Sequence, residues 1–152
     1  MSVKIINGDL LRAKEDIICH QVNCRGFMGS GVASAIKHKW PEVYECYREH
    51  CLCNKPGDLL GTVQFTVTNG FINVANLFAQ ETCGSSGQRY TSYDAFYECL
   101  ENIRDRIHPS KSLAFPYRIG SDRGGASWDV IYAMICDVLG DREVTIYRLS
   151  DN

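Results

Sequence analysis

Apolar positions along this chain fall into two rhythms, one of strands and one of helices. Residues 3–6 (Val-Lys-Ile-Ile) form a short β-like run that ends at Asn7-Gly8, a strong turn signal. Asp9-Leu10-Leu11 follows, and then a charged patch at 12–16 that is too short to fix a helix. Residues 17–22 are apolar with little alternation, as suits a strand covered on both faces. Helical spacing begins at residues 32–39, and Trp40-Pro41 interrupts it. Pro41 opens a second helix through residue 51, with Val43, Tyr44 and Tyr47 on one side. Residues 54–58 read as a turn or loop.

The second half repeats the alternation. Residues 62–67 alternate like a strand, Thr68-Asn69-Gly70 carries a hairpin signal, and residues 71–78 are the returning strand. Residues 80–90 are polar and hold Gly84-Ser85-Ser86-Gly87, a loop. Residues 92–107 read as a helix capped by Ser92, with Ala95, Phe96, Cys99, Leu100 and Ile103 at helical spacing. Residues 112–116 are a buried strand. Ser127 caps another helix, Gly140 ends it, and residues 143–149 are the last strand. Strands alternating with helices, plus one hairpin, predict a single α/β domain over 1–152. It has three layers, α/β/α, around a mixed sheet of about six strands.

In such sheets ligands sit beyond the carboxyl ends of the strands. Two glycine-bearing loops follow strand ends here and could face one shared site. The first, Gly26-Phe27-Met28-Gly29-Ser30-Gly31-Val32-Ala33, leads into a helix. Its glycines allow close backbone approach, and the helix start offers unpaired N–H groups, together an anion cradle. It is no Walker motif, because no Gly-Lys-Ser/Thr follows, and Ser34 stands where a dinucleotide fingerprint wants its third glycine. The bland alternative is a plain β-to-α connection. Asn23, just before the loop, could meet a sugar hydroxyl or bond its own turn.

The second loop, Tyr117-Arg118-Ile119-Gly120-Ser121-Asp122-Arg123-Gly124-Gly125, combines guanidiniums, a hydroxyl and glycine amides. That set suits a phosphate or diphosphate; the alternative is surface charge on a mobile loop. Asp122 is the only carboxylate in either glycine loop, so it is the default group for activating water. Asp9 could cap a helix or accept from an exocyclic amine such as adenine N6. Tyr147 could pack in the core or stack on a ring. His20 and Cys24 suggest a thiol hydrolase, but four residues apart on a strand they are separated along it.

Composition narrows the classes. The 152 residues carry a formal net charge of -2, which argues against a nucleic-acid binder working by bulk positive charge. No apolar run is long enough to span a bilayer, and the start at Met1 lacks the pattern of a signal peptide. A cytoplasmic protein is expected, with the nucleus also open. Eight cysteines without an export signal read as reduced, mostly buried thiols. His50-Cys51-x-Cys53 has no second pair at metal-ligand spacing, so neither a metal nor another cofactor is expected.

Taken together, the motifs resemble the macro domain family. The resemblance rests on Asn7-Gly8-Asp9-Leu10, on Val22-Asn23-Cys24, on Gly26 to Ala33, and on Pro116 to Gly125 ahead of Trp128. It covers nearly the whole chain. The Asn-Cys-x-Gly lead-in and the Asn76-Leu77-Phe78-Ala79-Gln80 strand end are similar to the branch holding ADP-ribose 1''-phosphate phosphatases and the terminal ADP-ribose protein glycohydrolase.

The resemblance implies an ADP-ribose pocket. Asp9 would bind the adenine amine, with Gly8 and the Leu10 amide nearby and Tyr147 beside the adenine or proximal ribose. Asn23 would meet the distal ribose. Gly26, Met28, Gly29, Ser30, Gly31, Val32 and Ala33 would wrap that ribose and the diphosphate. Pro116, Arg118, Ile119, Gly120, Ser121, Asp122, Arg123 and Gly124 would cradle it from the other side. The lysine that forms an adduct in one glycohydrolase falls at Gln80 and its partner aspartate near Gly124. The first-loop aspartate of other hydrolases falls at Ala33. The phosphatase route stays open, with Asp122 or His20 acting on water, as does a non-catalytic module for ADP-ribose or ADP-ribosylated protein. An RNA-end or nucleotide-binding protein is the third reading.

Overall fold

The computed structural model describes residues 2–149; Met1 and 150–152, the ends of the expected domain, lie outside the described residues. Six strands form one sheet in the order β1-β6-β5-β2-β4-β3. They are β1 (Val3–Asn7), β2 (Ile17–Asn23), β3 (Val63–Val67), β4 (Asn73–Gln80), β5 (Leu113–Pro116) and β6 (Val144–Arg148). Only the β3–β4 hairpin pairs antiparallel; every other neighbour pair is parallel. The expected mixed six-stranded sheet is therefore the one observed, and its parallel part puts five strand ends along one rim.

Two cores flank the sheet. On one face α1 (Gly31–Lys39) and α2 (Pro41–Cys53) pack Ile36, Val43 and Tyr47 against Ile18, Val22, Val74 and Phe78. On the other, α4 (Tyr93–Arg106) and α5 (Trp128–Leu139) pack Phe96, Leu100, Ile131 and Ile135 against Cys19, Leu77, Phe115 and Ile146. Each large side chain buried this way contributes about 1.5–3 kcal/mol relative to exposure. β2 sits between both cores, which explains its nearly unbroken apolar run.

Local differences from the sequence reading have physical causes. The segment expected as a turn at 54–58 forms a one-turn helix, α3 (Pro56–Leu59), with Pro56 in its first turn; four residues are too few to show a period. Phe71 and Ile72 belong to the hairpin turn rather than to β4. Phe71 takes φ 66 there, and its amide donates to Thr68 O. Ser92 caps α4 through its hydroxyl as expected, but Ser127 makes no side-chain cap bond, and its amide donates to the Tyr93 hydroxyl instead. The cysteines are unpaired, yet only Cys19, Cys24 and Cys99 are buried; Cys46, Cys53 and Cys83 are exposed, because α2 and the 81–90 loop turn them outward. Among the described residues no helix is long and apolar enough to cross a membrane.

Candidate functional site

The two glycine loops meet, as the sequence suggested, in one cleft of about 480 Å³ beyond the ends of β2, β4 and β5. The first loop is shaped by Asn23 at the end of β2. Its Oδ1 accepts from the Arg25 amide at 2.9 Å, and its Nδ2 donates to Phe27 O at 2.8 Å. Tyr47 reaches across from α2, and its hydroxyl donates to Asn23 O at 2.7 Å, with Asn23 Oδ1 at 2.9 Å. Burial pushes the Tyr47 phenol up, so it remains a donor. Asn23 thus ties its own turn while lining the cleft. After the loop, Ser30 precedes α1 without a side-chain cap bond, leaving the first helix amides open beside Gly29, Ser30, Gly31, Val32 and Ala33 of the cleft wall.

The second loop is locked from the opposite side. Thr91, just before α4, donates its hydroxyl to Gly120 O at 2.8 Å. The amides of Tyr90 and Thr91 both donate to Gly124 O, at 2.8 and 2.9 Å. Gln21, on β2, donates through Nε2 to Thr91 Oγ1 at 2.8 Å and to Gln80 Oε1 at 2.7 Å. Gln80 in turn donates to Thr82 O at 2.8 Å, so its amide is fixed at both ends. Within the loop Arg118 adopts φ 63, a conformation costing a non-glycine residue about 1–3 kcal/mol. Its Nε donates to Asp122 Oδ1 at 2.9 Å and its guanidinium also reaches Ser121 O at 3.3 Å, contacts that offset the strain.

The cleft also holds Pro116, Arg118, Ile119, Gly120, Asp122, Arg123 and Gly124 from the expected set. Leu10, Gly26, Met28 and Ser121 are not among its lining residues. Leu10, Met28 and Ser121 are buried, so any contact they make with a ligand in the cleft falls to their backbone rather than to exposed side chains. Gly8, Asp9 and Tyr147 line a separate shallow depression on the rim. Asp9 Oδ1 accepts from Leu11 N at 3.0 Å and caps the 3-10 turn Leu10–Arg12, while Oδ2 accepts no bond from the described residues. Tyr147 donates to Glu15 Oε1 at 2.6 Å, and its ring lies so close to Gly8 that a Cβ there would stand 3.1 Å from it.

His20 does not line the cleft; its candidacy as a water-activating base is corrected by strand alternation. Gln21 turns toward the cleft and His20 to the other side, where it is 1% exposed with Nε2 2.6 Å from Asn76 Oδ1. Burial pushes its pKa down to about 4. The unfolded imidazole titrates near 6.5, so the unfolded chain binds more protons between these values. Stability is therefore full above about pH 6.5 and falls as pH drops toward 4, by roughly 3 kcal/mol at the limit. His20→Gln is expected to flatten this dependence in denaturant titrations at pH 7 and pH 4.5; an unchanged slope would count against it.

Gln21 and Cys83 line the cleft although no motif pointed to them, and Phe27, Ser85 and Tyr117 line it from loops that were singled out without assigning these residues to a ligand. For Gln21 a signal existed: it is the one polar residue besides His20 within an apolar strand that ends at a glycine loop.

No family model matches the chain. Sequence relatives do. The ADP-ribose 1''-phosphate phosphatase of Meyerozyma guilliermondii is 32% identical over 121 residues, covering 72% of this chain and 68% of that protein. The DNA ADP-ribosyl glycohydrolase of Mycobacterium tuberculosis is 38% identical over 64 residues, 42% of this chain but only 17% of that longer protein. In structure, a macrodomain protein from Streptomyces coelicolor superposes with a TM-score of 0.77 at 28% identity, covering 96% of this chain and 98% of its own. With this fold, these loops and these relatives, the chain belongs to the macro domain family. It falls in the branch of the ADP-ribose 1''-phosphate phosphatases and the DNA ADP-ribosyl glycohydrolases.

Proposed function

We propose that the protein binds ADP-ribose and hydrolyses ADP-ribose 1''-phosphate or a related ADP-ribosyl derivative. The observation that carries the reading is the meeting of two amide-bearing glycine loops in one cleft, each locked by side chains of a different layer. Open amides of α1 and of the Gly120–Gly124 turn are suited to a diphosphate. The unused Oδ2 of Asp9 suits the adenine amine, and the second N–H of Asn23 Nδ2 suits a hydroxyl of the distal ribose. The ADP-ribose 1''-phosphate phosphatase activity of the 32%-identical Meyerozyma guilliermondii relative supports the same substrate class.

Hydrolysis needs a water placed against the phosphate ester and charge stabilisation as the leaving oxygen departs. Asp122, exposed in the cleft and oriented by Arg118, is the carboxylate available to hold that water. The loop amides stabilise charge gathering on the phosphate oxygens. Asp122→Asn is expected to lower kcat for phosphate release by roughly 10²-fold while ADP-ribose affinity stays within a few-fold. The measurement is phosphate release beside calorimetry with ADP-ribose.

A second reading, a binding module without turnover, is favoured by one observation. Gln80 stands bonded at both ends where the family resemblance places the adduct-forming lysine of one glycohydrolase, and an amide cannot form that adduct. ADP-ribose binding without turnover of ADP-ribose 1''-phosphate or of mono-ADP-ribosylated protein would establish this reading and overturn the enzymatic one. Absence of ADP-ribose binding would overturn both.

A further inference from the structure

The rim depression contains charges that neither the cleft nor the proposed function uses. It has a volume near 510 Å³ and is floored by Ile6, Thr145 and Tyr147 of the sheet. Lys4, Arg12 and Lys14 stand around it. The two carboxylates that also line it are already engaged, Asp9 with the Leu11 amide and Glu15 with the Tyr147 hydroxyl. Lys4 lies in electrostatic reach of Glu143, whereas Arg12 and Lys14 form no ion pair or side-chain hydrogen bond among the described residues. Both are exposed, so their charges are free to meet an anion.

Sheet register fixes where this depression lies relative to the cleft. Pro116, which lines the cleft, pairs with Tyr147, and Tyr147 pairs with Ile6. The two hollows are thus neighbours along one row of the sheet, on the side where Asp9 and Tyr147 would receive adenosine. A ligand lying across the row with its diphosphate in the cleft brings its adenosine end to Arg12 and Lys14.

We propose that this depression is an anion subsite for a phosphate carried on the adenosine side of an ADP-ribosyl ligand. This rests on the reading that the cleft binds ADP-ribose. Two ligands supply that chemistry: ADP-ribose bearing a monoester phosphate at the adenosine 2' oxygen, and an ADP-ribose oligomer whose next unit is joined at that oxygen. Guanidinium and ammonium groups meet either phosphate by charge-assisted hydrogen bonds.

The test is calorimetry at low and physiological salt with ADP-ribose, ADP-ribose 2'-phosphate and a short ADP-ribose oligomer. The expected result is that at least one extended ligand binds roughly tenfold more tightly than ADP-ribose. The gain shrinks with salt and disappears in an Arg12→Ala/Lys14→Ala variant whose ADP-ribose affinity is unchanged. A gain confined to the monoester or to the oligomer identifies the source. Extended ligands that bind no better than ADP-ribose, or a gain that survives in the variant, would overturn the subsite while leaving the proposed function standing. Failure of ADP-ribose itself to bind would instead remove the reading beneath it.

Discussion

Gly124→Ala is expected to lower ADP-ribose affinity by roughly 10²-fold, the scale of loss that follows an ångström of misplacement at a site that works by positioning. Gly124 lies where the second loop closes on itself. A Cβ there would stand 2.5 Å from Gly120 O and would collide with the Thr91 hydroxyl. Neither neighbour can yield cheaply: the first is backbone, and the second is bonded to Gly120 O and to Gln21. The loop must open, at a stability cost of about 1–3 kcal/mol typical of overpacking. Gly29→Ala provides the contrast, because a Cβ there meets nothing within 4 Å. Calorimetry with ADP-ribose and thermal melts of both variants separate the two behaviours; equal effects would contradict the steric account.

The Tyr47 variants are expected to show the largest loss of stability. Tyr47 is fully buried, its ring 5.9 Å from that of Phe78, and its hydroxyl holds the Asn23 carbonyl. Tyr47→Ala removes a large core side chain and is expected to cost about 3–5 kcal/mol. Tyr47→Phe isolates the hydroxyl. It leaves Asn23 O without its side-chain donor, at a cost of about 1–3 kcal/mol. Because that carbonyl anchors the first loop, the Phe variant should also lose ligand affinity beyond what its stability loss explains. Denaturant unfolding gives the first quantity and calorimetry the second. Full affinity in the Phe variant would show that the loop holds its shape without the clasp.

Much of this design was legible in the residues. Glycines clustered after two apolar runs marked both loops, and the parallel alternation placed them on one rim. The polar supports were harder to see. Gln21 and Thr91 are ordinary residues in sequence, and their work depends on a contact between β2 and the start of α4, 70 positions apart. His20 misled for the opposite reason. Its residue type suggested chemistry, but alternation along β2 aims it at Asn76 instead of the cleft. Asn23 ties its own turn, one of its two expected roles, and the amide that does so still has an N–H to offer toward the cleft.

The sheet divides the protein into two separately packed cores, and each loop is fastened to a different one. Tyr47 belongs to the core under α1 and α2, while Thr91 leads into α4 on the other face. A ligand gripping both loops therefore acts as a cross-brace between the two layers at the strand-end rim. Its binding free energy adds to the cohesion of both cores by mass action, whichever loop supplies the tighter contacts. Ligation should accordingly slow hydrogen exchange in α2 and α4 together, well beyond the residues the ligand touches.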